Sequence, residues 1–187
     1  MDLKTVLHQI HTESGARMVP FGGWDMPVQY AGIISEVAAV RTKSGLFDVS
    51  HMGRLYIEGD SATDLLDLVL TSPASTLKIG RARYCMICDE SGGIIDDTIF
   101  YRLAENHYLL IPNAGNRVQI INWLQSWIDN NFTGECSLDD QTFKTSLIAI
   151  QGPQSSTILD QICIVDNDTL PSSIRGFSWA NGILQDH

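Results

Sequence analysis

Cations are scarce in this chain: 12 Lys and Arg stand against 22 Asp and Glu, giving a formal charge of −10 over 187 residues. Broad contact with a phosphate backbone needs a basic surface, so nucleic acid is not an expected partner. Any anionic ligand must be met by a local cluster of Lys or Arg. Long apolar runs are missing too. None approaches the roughly 20 residues of a membrane-spanning helix, so no membrane association is expected. The first 17 residues are polar and carry Asp2 and Glu13. They show neither the apolar core of a secretory signal nor the Arg-rich, acid-poor bias of a transit peptide, which leaves a cytoplasmic location as the expectation.

Cysteine is sparse and poorly paired. Cys85-Met-Ile-Cys88 has zinc-ribbon spacing, but neither Cys136 nor Cys163 belongs to a second pair. On a strand, residues three apart point to opposite faces, so these thiols diverge. They are read as reduced, buried thiols, and no metal site is expected. Glycine-rich phosphate loops of the G-x-G-x-x-G or Walker type are absent, and so is the G-x-S-x-G elbow of a serine hydrolase.

What is present suits a folded protein. Hydrophobic residues make up 44 % and charged residues 18 %, and the length allows one substantial domain or two small interleaved ones. Apolar spacing predicts helices over 5–14, 33–44, 61–70, 114–130 and 155–161. In the fourth, Val118, Ile121, Trp123, Leu124, Trp127 and Ile128 form the expected buried stripe. Strands are predicted over 46–50, 54–58, 83–88, 94–102, 107–111, 136–140 and 146–150, with a hairpin turning at 89–93. The Gly-, Pro- and aromatic-rich stretch 18–30 reads as an ordered loop with short extended pieces. Helices and strands alternate irregularly, which favours an α+β fold over a doubly wound parallel sheet.

Four segments carry chemistry-bearing residues. The stretch 18–30 is either a packed structural arm or an aromatic-lined entrance for a flat ligand. Asp48, Ser50 and His51 lie within four residues, but His51 points away from the face shared by the other two. A Ser-His-Asp relay is therefore awkward there, and structural polar contacts are preferred. Lys78, Arg81 and Arg83 form the one basic concentration, suited to a carboxylate tail or an acidic partner protein, or simply to solvation. In Gly92-Gly-Ile-Ile-Asp96-Asp97-Thr-Ile-Phe-Tyr101, two adjacent carboxylates enter a largely apolar strand. Asp97, Ile99 and Tyr101 share one face; Asp96, Thr98 and Phe100 share the other. An Asp and a Tyr on one face suit a nitrogen heterocycle, the carboxylate accepting N–H bonds while the ring stacks. A partly buried Asp there can also transfer protons. A hairpin-capping Asp pair is the structural alternative.

These segments occur in an order that resembles the T-protein family of the glycine cleavage system: M-V-P-F-G-G-W-D-M-P-V-Q-Y, A-V-R, S-G-L-F-D-V-S-H-M-G, A-R-Y, G-G-I-I-D-D-T-I-F-Y-R, N-A-G-N and A-I-Q-G-P. The resemblance spans about residues 3–159. It implies a folate-binding aminomethyltransferase-like α+β fold with mixed or antiparallel sheets flanked by helices, lacking the carboxy-terminal barrel. The implied domains are 1–50 as the first part of the folate-binding domain, 51–140 as an inserted ferredoxin-like subdomain, and 141–187 as a truncated return to the first. It implies transfer of a one-carbon unit from an aminomethyl-lipoyl group on the H-protein to tetrahydrofolate, with release of ammonia. Asp97 matches the family's catalytic aspartate. Tyr84 and Tyr101 match folate-contacting positions, Met52 a pocket wall, and Asn113 an asparagine where the lipoyl arm enters. Val37 stands where the family usually has histidine, N-A-G-N replaces N-A-S-N, and the tail 177–187 does not look like the family. Family members are roughly twice as long, so weak or no activity alone is expected. The alternatives are a folate-dependent demethylase relative and a non-catalytic folate-binding protein.

Overall fold

A computed structural model describes residues 2–166 and 169–184. The chain folds as two compact units, one made of 1–51, 145–175 and 180–187, the other of 52–144 and 176–179. Among the described residues all pairs of strands are antiparallel, and an isolated bridge from Leu3 to Trp24 is parallel. Helices plus antiparallel sheets make an α+β fold, with no closed barrel among the described residues. Among those residues, no helix is long and apolar enough to cross a membrane.

The first unit begins with α1 (His8–Glu13), followed by β1 (Arg17–Phe21) and β2 (Trp24–Gln29). The stretch expected to be a loop is therefore a hairpin. Phe21 pairs with Trp24 across Gly22-Gly23, both at positive φ, 57° and 84°. A two-residue turn whose twist matches its strands needs positive φ at both positions, and only glycine takes it without strain. Pro20 and Pro27 are tolerated because each strand of a two-stranded sheet has an open edge. Next come α2 (Ile33–Thr42) and β3 (Gly45–Asp48). After the second unit the chain adds β9 (Ile148–Gln151), α5 (Ser155–Ile162), β10 (Cys163–Val165) and β11 (Gly182–Leu184). Strand β3 pairs with β9, and β10 with β11. Gly152, at φ 125°, lies so close to the end of α2 that a Cβ would meet the carbonyl oxygens of Val40 and Lys43 at 2.6 Å. The glycine of A-I-Q-G-P is a steric requirement.

His11 ties this unit together. Its Nδ1 lies 2.7 Å from the Tyr30 hydroxyl and its Nε2 3.0 Å from Asp48 Oδ2. Asp48 also accepts the Ser50 backbone N–H at 2.9 Å. Burial alone would raise the Asp48 carboxyl, but hydrogen bonds from Ser50 and His11 carry it below its ordinary value. Asp48 and Ser50 hold structure.

The second unit contains β4 (Leu55–Glu58), α3 (Ala62–Val69), β5 (Ala82–Cys88), β6 (Ile94–Ala104), β7 (His107–Ile111), α4 (Arg117–Asn131) and β8 (Ser137–Asp140). Its five strands run in the order β5-β6-β7-β4-β8. One face carries Leu55, Ile57, Cys85, Ile87, Phe100 and Leu110, which pack with Leu65, Leu66 and Val69 of α3 and Ile120, Leu124 and Ile128 of α4. The expected α4 stripe is corrected at one place: Val118 is 58 % exposed and Ile120 fully buried. Ile120, Leu124 and Ile128 repeat every four residues on one face, whereas Val118, two positions earlier, lies nearly opposite. Gly176–Trp179 runs beside β5, with Phe177 accepting the Ala82 N–H at 2.9 Å and Trp179 Nε1 donating to Arg102 at 3.0 Å.

Two stability predictions follow from this packing. Leu124→Ala removes a fully buried side chain and costs about 2–5 kcal/mol, whereas Val118→Ala stays within about 0.5 kcal/mol, both read from urea unfolding midpoints. Burial pushes the Cys85 thiol from its ordinary 9.0 up to about 12. The unfolded chain therefore loses that proton near 9.0 while the folded chain keeps it until about 12, so this contribution is present at lower pH and lost across that window. Alkaline unfolding curves for the chain and for Cys85→Ala should diverge there, the variant having the shallower decline.

Candidate active site

Strand β6 decides the site. Its alternation puts Asp96, Thr98 and Phe100 on the helix-covered face and Asp97, Ile99 and Tyr101 on the other. Across the ladders, Met86 opposes Asp97, Tyr84 opposes Ile99, and Leu109 opposes Tyr101. That face is an apolar, aromatic surface with one carboxylate set into it. Tyr84 is 57 % exposed and Met86 39 %.

Asp97 is not partly buried, as the sequence allowed; the buried carboxylate is Asp96, 3 % exposed. Removing a carboxylate from water is costly unless donors replace the lost hydration. Asp96 has three: the Asn113 backbone N–H at 2.9 Å, Asn113 Nδ2 at 2.9 Å and Asn116 Nδ2 at 2.7 Å. Asn113 precedes and Asn116 ends the short 3-10 turn Ala114–Asn116 that leads into α4. The same Asn113 Nδ2 reaches Asp97, lying 2.9 Å from its carbonyl oxygen and 3.1 Å from Oδ1. With acceptors around Nδ2, the amide oxygen is left as the free acceptor of that side chain. The Tyr84 hydroxyl donates to the other carboxylate oxygen, Asp97 Oδ2. A phenol and an amide thus hold Asp97 from two sides.

The remaining expected residues lie nearby. Tyr101 is half-buried, and burial raises its phenol above the ordinary value, keeping it a neutral donor at physiological pH. Met52 is half-buried beside Gly53, whose N–H donates to the Pro112 carbonyl at 2.8 Å and clasps that segment next to Asn113. The basic concentration is largely consumed internally. Arg83 donates to the Pro73 carbonyl at 2.8 Å and to Thr76 Oγ1 at 2.9 Å, and Arg81 to Ser178 Oγ. Among the described residues no group of three or more His, Cys, Asp or Glu is placed to hold a metal ion. Sequence reasoning missed Asp96 and Asn116 as anchors. The signal was the recurrence of Asn three positions apart at a helix start.

Asp97 stands on an exposed sheet face and not in a closed cleft. A concavity of about 790 Å³ occurs in the first unit, lined by residues from His11 to His51, and includes none of the five candidates. Chemistry, and not volume, marks the site.

The chain is similar to known proteins over most of its length. The profile of the GCVT N-terminal domain matches residues 7–182, further than the span near residue 159 expected from motifs. The chain is 41 % identical over 180 residues to an aminomethyltransferase of Symbiobacterium thermophilum, covering 96 % of this chain and 47 % of that protein. It is 45 % identical over 170 residues to an aminomethyltransferase of Chlorobium chlorochromatii, covering 90 % and 46 %. The crystal structure of the glycine cleavage system aminomethyltransferase T from Bartonella henselae superposes with a TM-score of 0.79 at 36 % identity, over 84 % of this chain and 43 % of that one. The chain spans about half the length of the curated relatives it matches.

The two carboxylates should separate cleanly. Asp96→Ala leaves the Asn113 backbone N–H and Asn116 Nδ2 without their acceptor and costs about 1–3 kcal/mol, whereas Asp97→Ala leaves the unfolding midpoint within about 0.5 kcal/mol, measured by urea denaturation.

Proposed function

The chain belongs to the aminomethyltransferase family of the GCVT N-terminal domain, and from that membership we propose that it forms the folate-facing part of a cytoplasmic glycine cleavage aminomethyltransferase. The one observation that carries this reading is Asp97 set among aromatic side chains on an exposed sheet face, held by Tyr84 and Asn113. The reaction takes a lipoyl thioether bearing an aminomethyl group, presented by the H-protein, and tetrahydrofolate as co-substrate. The carbon's bonds to sulfur and to the amine nitrogen break and bonds to two folate nitrogens form; the two protons leaving those nitrogens end on ammonia and on the thiol.

The residues present fit such a co-substrate. A reduced pterin is flat, with N–H groups along its edge. Tyr84, Met86, Ile99 and Tyr101 offer a flat apolar floor, and Asp97 offers an acceptor for ring N–H groups. Asp97 can also take a proton from a folate nitrogen and return it to the departing amine, the work of a general acid–base. Asn113 presents its amide oxygen as a second acceptor for an amine or ring N–H, because its nitrogen is committed to the two aspartates. Met52 adds an apolar wall at the same end of the sheet.

Catalysis of this kind gains from exclusion of water, and an open sheet face does not supply it. Tetrahydrofolate titrated into the 187-residue chain and followed by tryptophan fluorescence should therefore bind at least about tenfold more weakly than to a full-length relative such as that of Listeria innocua, a difference of roughly 1.4 kcal/mol. Asp97→Asn should abolish the binding that remains without moving the melting temperature. Equal affinity in the chain and the relative would refute the partial-site reading. Binding unchanged in Asp97→Asn would refute the aspartate's role.

A further inference from the structure

Behind the Asn113 end of the sheet lies a hydrogen-bonded network that makes no contact with Asp97 itself. Asp140 closes β8, and its Oδ2 accepts the guanidinium of Arg117, the first residue of α4. Its Oδ1 accepts the Thr142 backbone N–H at 3.0 Å and the Thr142 hydroxyl. Thr142 Oγ1 in turn accepts the Arg54 N–H at 3.0 Å. The Arg54 guanidinium donates to the carbonyls of Thr142 and Met52. Arg54 and Thr142 are buried, and the Arg117 side chain is only 11 % exposed. Its guanidinium also lies over Phe143, 4.9 Å from the ring centroid. Gly53 packs against the same arginine: a Cβ there would come within 2.6 Å of Pro112 Cγ and 3.3 Å of Arg117 Cγ.

Ion pairs withdrawn from water return little stability, because desolvation offsets much of the attraction. Charge-assisted hydrogen bonds are directional, however, and they fix geometry. Two residues of the candidate site sit on the segments this network ties down. Met52 gives its carbonyl to Arg54. Asn113 follows Pro112, whose carbonyl Gly53 clasps at 2.8 Å, and Arg117 holds the helix start just beyond it. Asn113 needs such a hold, because its Nδ2 meets three oxygens of Asp96 and Asp97 at 2.9, 2.9 and 3.1 Å. A displacement of about 0.5 Å spoils an arrangement of that kind. We propose that Arg117 and Asp140 are positioning residues: their ion pair, extended through Thr142 and Arg54, sets Met52 and Asn113 beside the face that carries Asp97. Both act through Asn113 and Met52 and not by touching a co-substrate. The effect on folate rests on the reading above; the positioning itself does not.

The test uses the 187-residue chain carrying Arg117→Met together with Asp140→Asn. Methionine keeps an apolar stem beside Gly53 and Phe143, and asparagine keeps an acceptor for Thr142, so the urea unfolding midpoint should hardly move. Amide exchange followed by NMR without ligand should quicken about tenfold or more at the backbone and side-chain N–H groups of Asn113, and stay unchanged at Leu124 in the buried stripe of α4. Arg117→Lys, which returns a cation to Asp140, should bring exchange at Asn113 back to within about threefold of the parent chain. Tetrahydrofolate should bind the double variant about fivefold or more weakly than the parent. Unchanged exchange at Asn113 overturns the proposal, and so does quickening that spreads equally to Leu124, the mark of general loosening. Quickened exchange with unchanged folate affinity overturns it as well, since nothing the ligand uses would then be positioned. A parent chain that binds no tetrahydrofolate would sink the folate reading instead, and exchange at Asn113 would still decide the positioning.

Discussion

A strand cannot put two adjacent side chains on one face, and this constraint organises the second unit. Asp96 and Asp97 are neighbours with opposite environments because β6 is extended, paired on both sides and covered on one face. The inward carboxylate is tolerated because amide N–H groups stand in for its lost water. Those amides come from the segment where β7 gives way to α4, so satisfying Asp96 also fixes the start of the helix. Asn113 is the shared element: its Nδ2 serves the buried carboxylate and the exposed one together. The position of Asp97 is thus set by a structural need one residue away.

The two units differ in completeness. The second has a five-stranded sheet, two helices and a continuous core. Among the described residues the first has three two-stranded ladders, a hydrogen-bonded histidine and an apolar concavity. The apolar concavity and the face that carries Asp97 lie in different units.

Much of the fold was legible because period and punctuation agree. The β5–β6 hairpin, β7 and α4 stand where alternation and helical spacing put them. The segment 18–30 was misread because its prolines and glycines look like loop chemistry. Only the pairing of Phe21 with Trp24 shows that Gly22-Gly23 is a hairpin turn, and that the prolines sit on strands with an open edge. Val118 and Ile120 were exchanged because both are apolar and two apart. The sheet beneath α4, not the sequence of α4 itself, selects which is buried.

By itself the sequence determined the opposite facing of Asp96 and Asp97, since that follows from the backbone of any strand, and the acidic balance of the chain, since that follows from counting charge. Which carboxylate is buried was decided only by which face α3 and α4 cover. The grip of Tyr84 and Asn113 on Asp97 was decided by the register of β5 on β6 and by the turn leading into α4. These depend on residues 13 and 16 positions away in the chain being brought within a hydrogen bond. Local preference does not encode such distances; packing does.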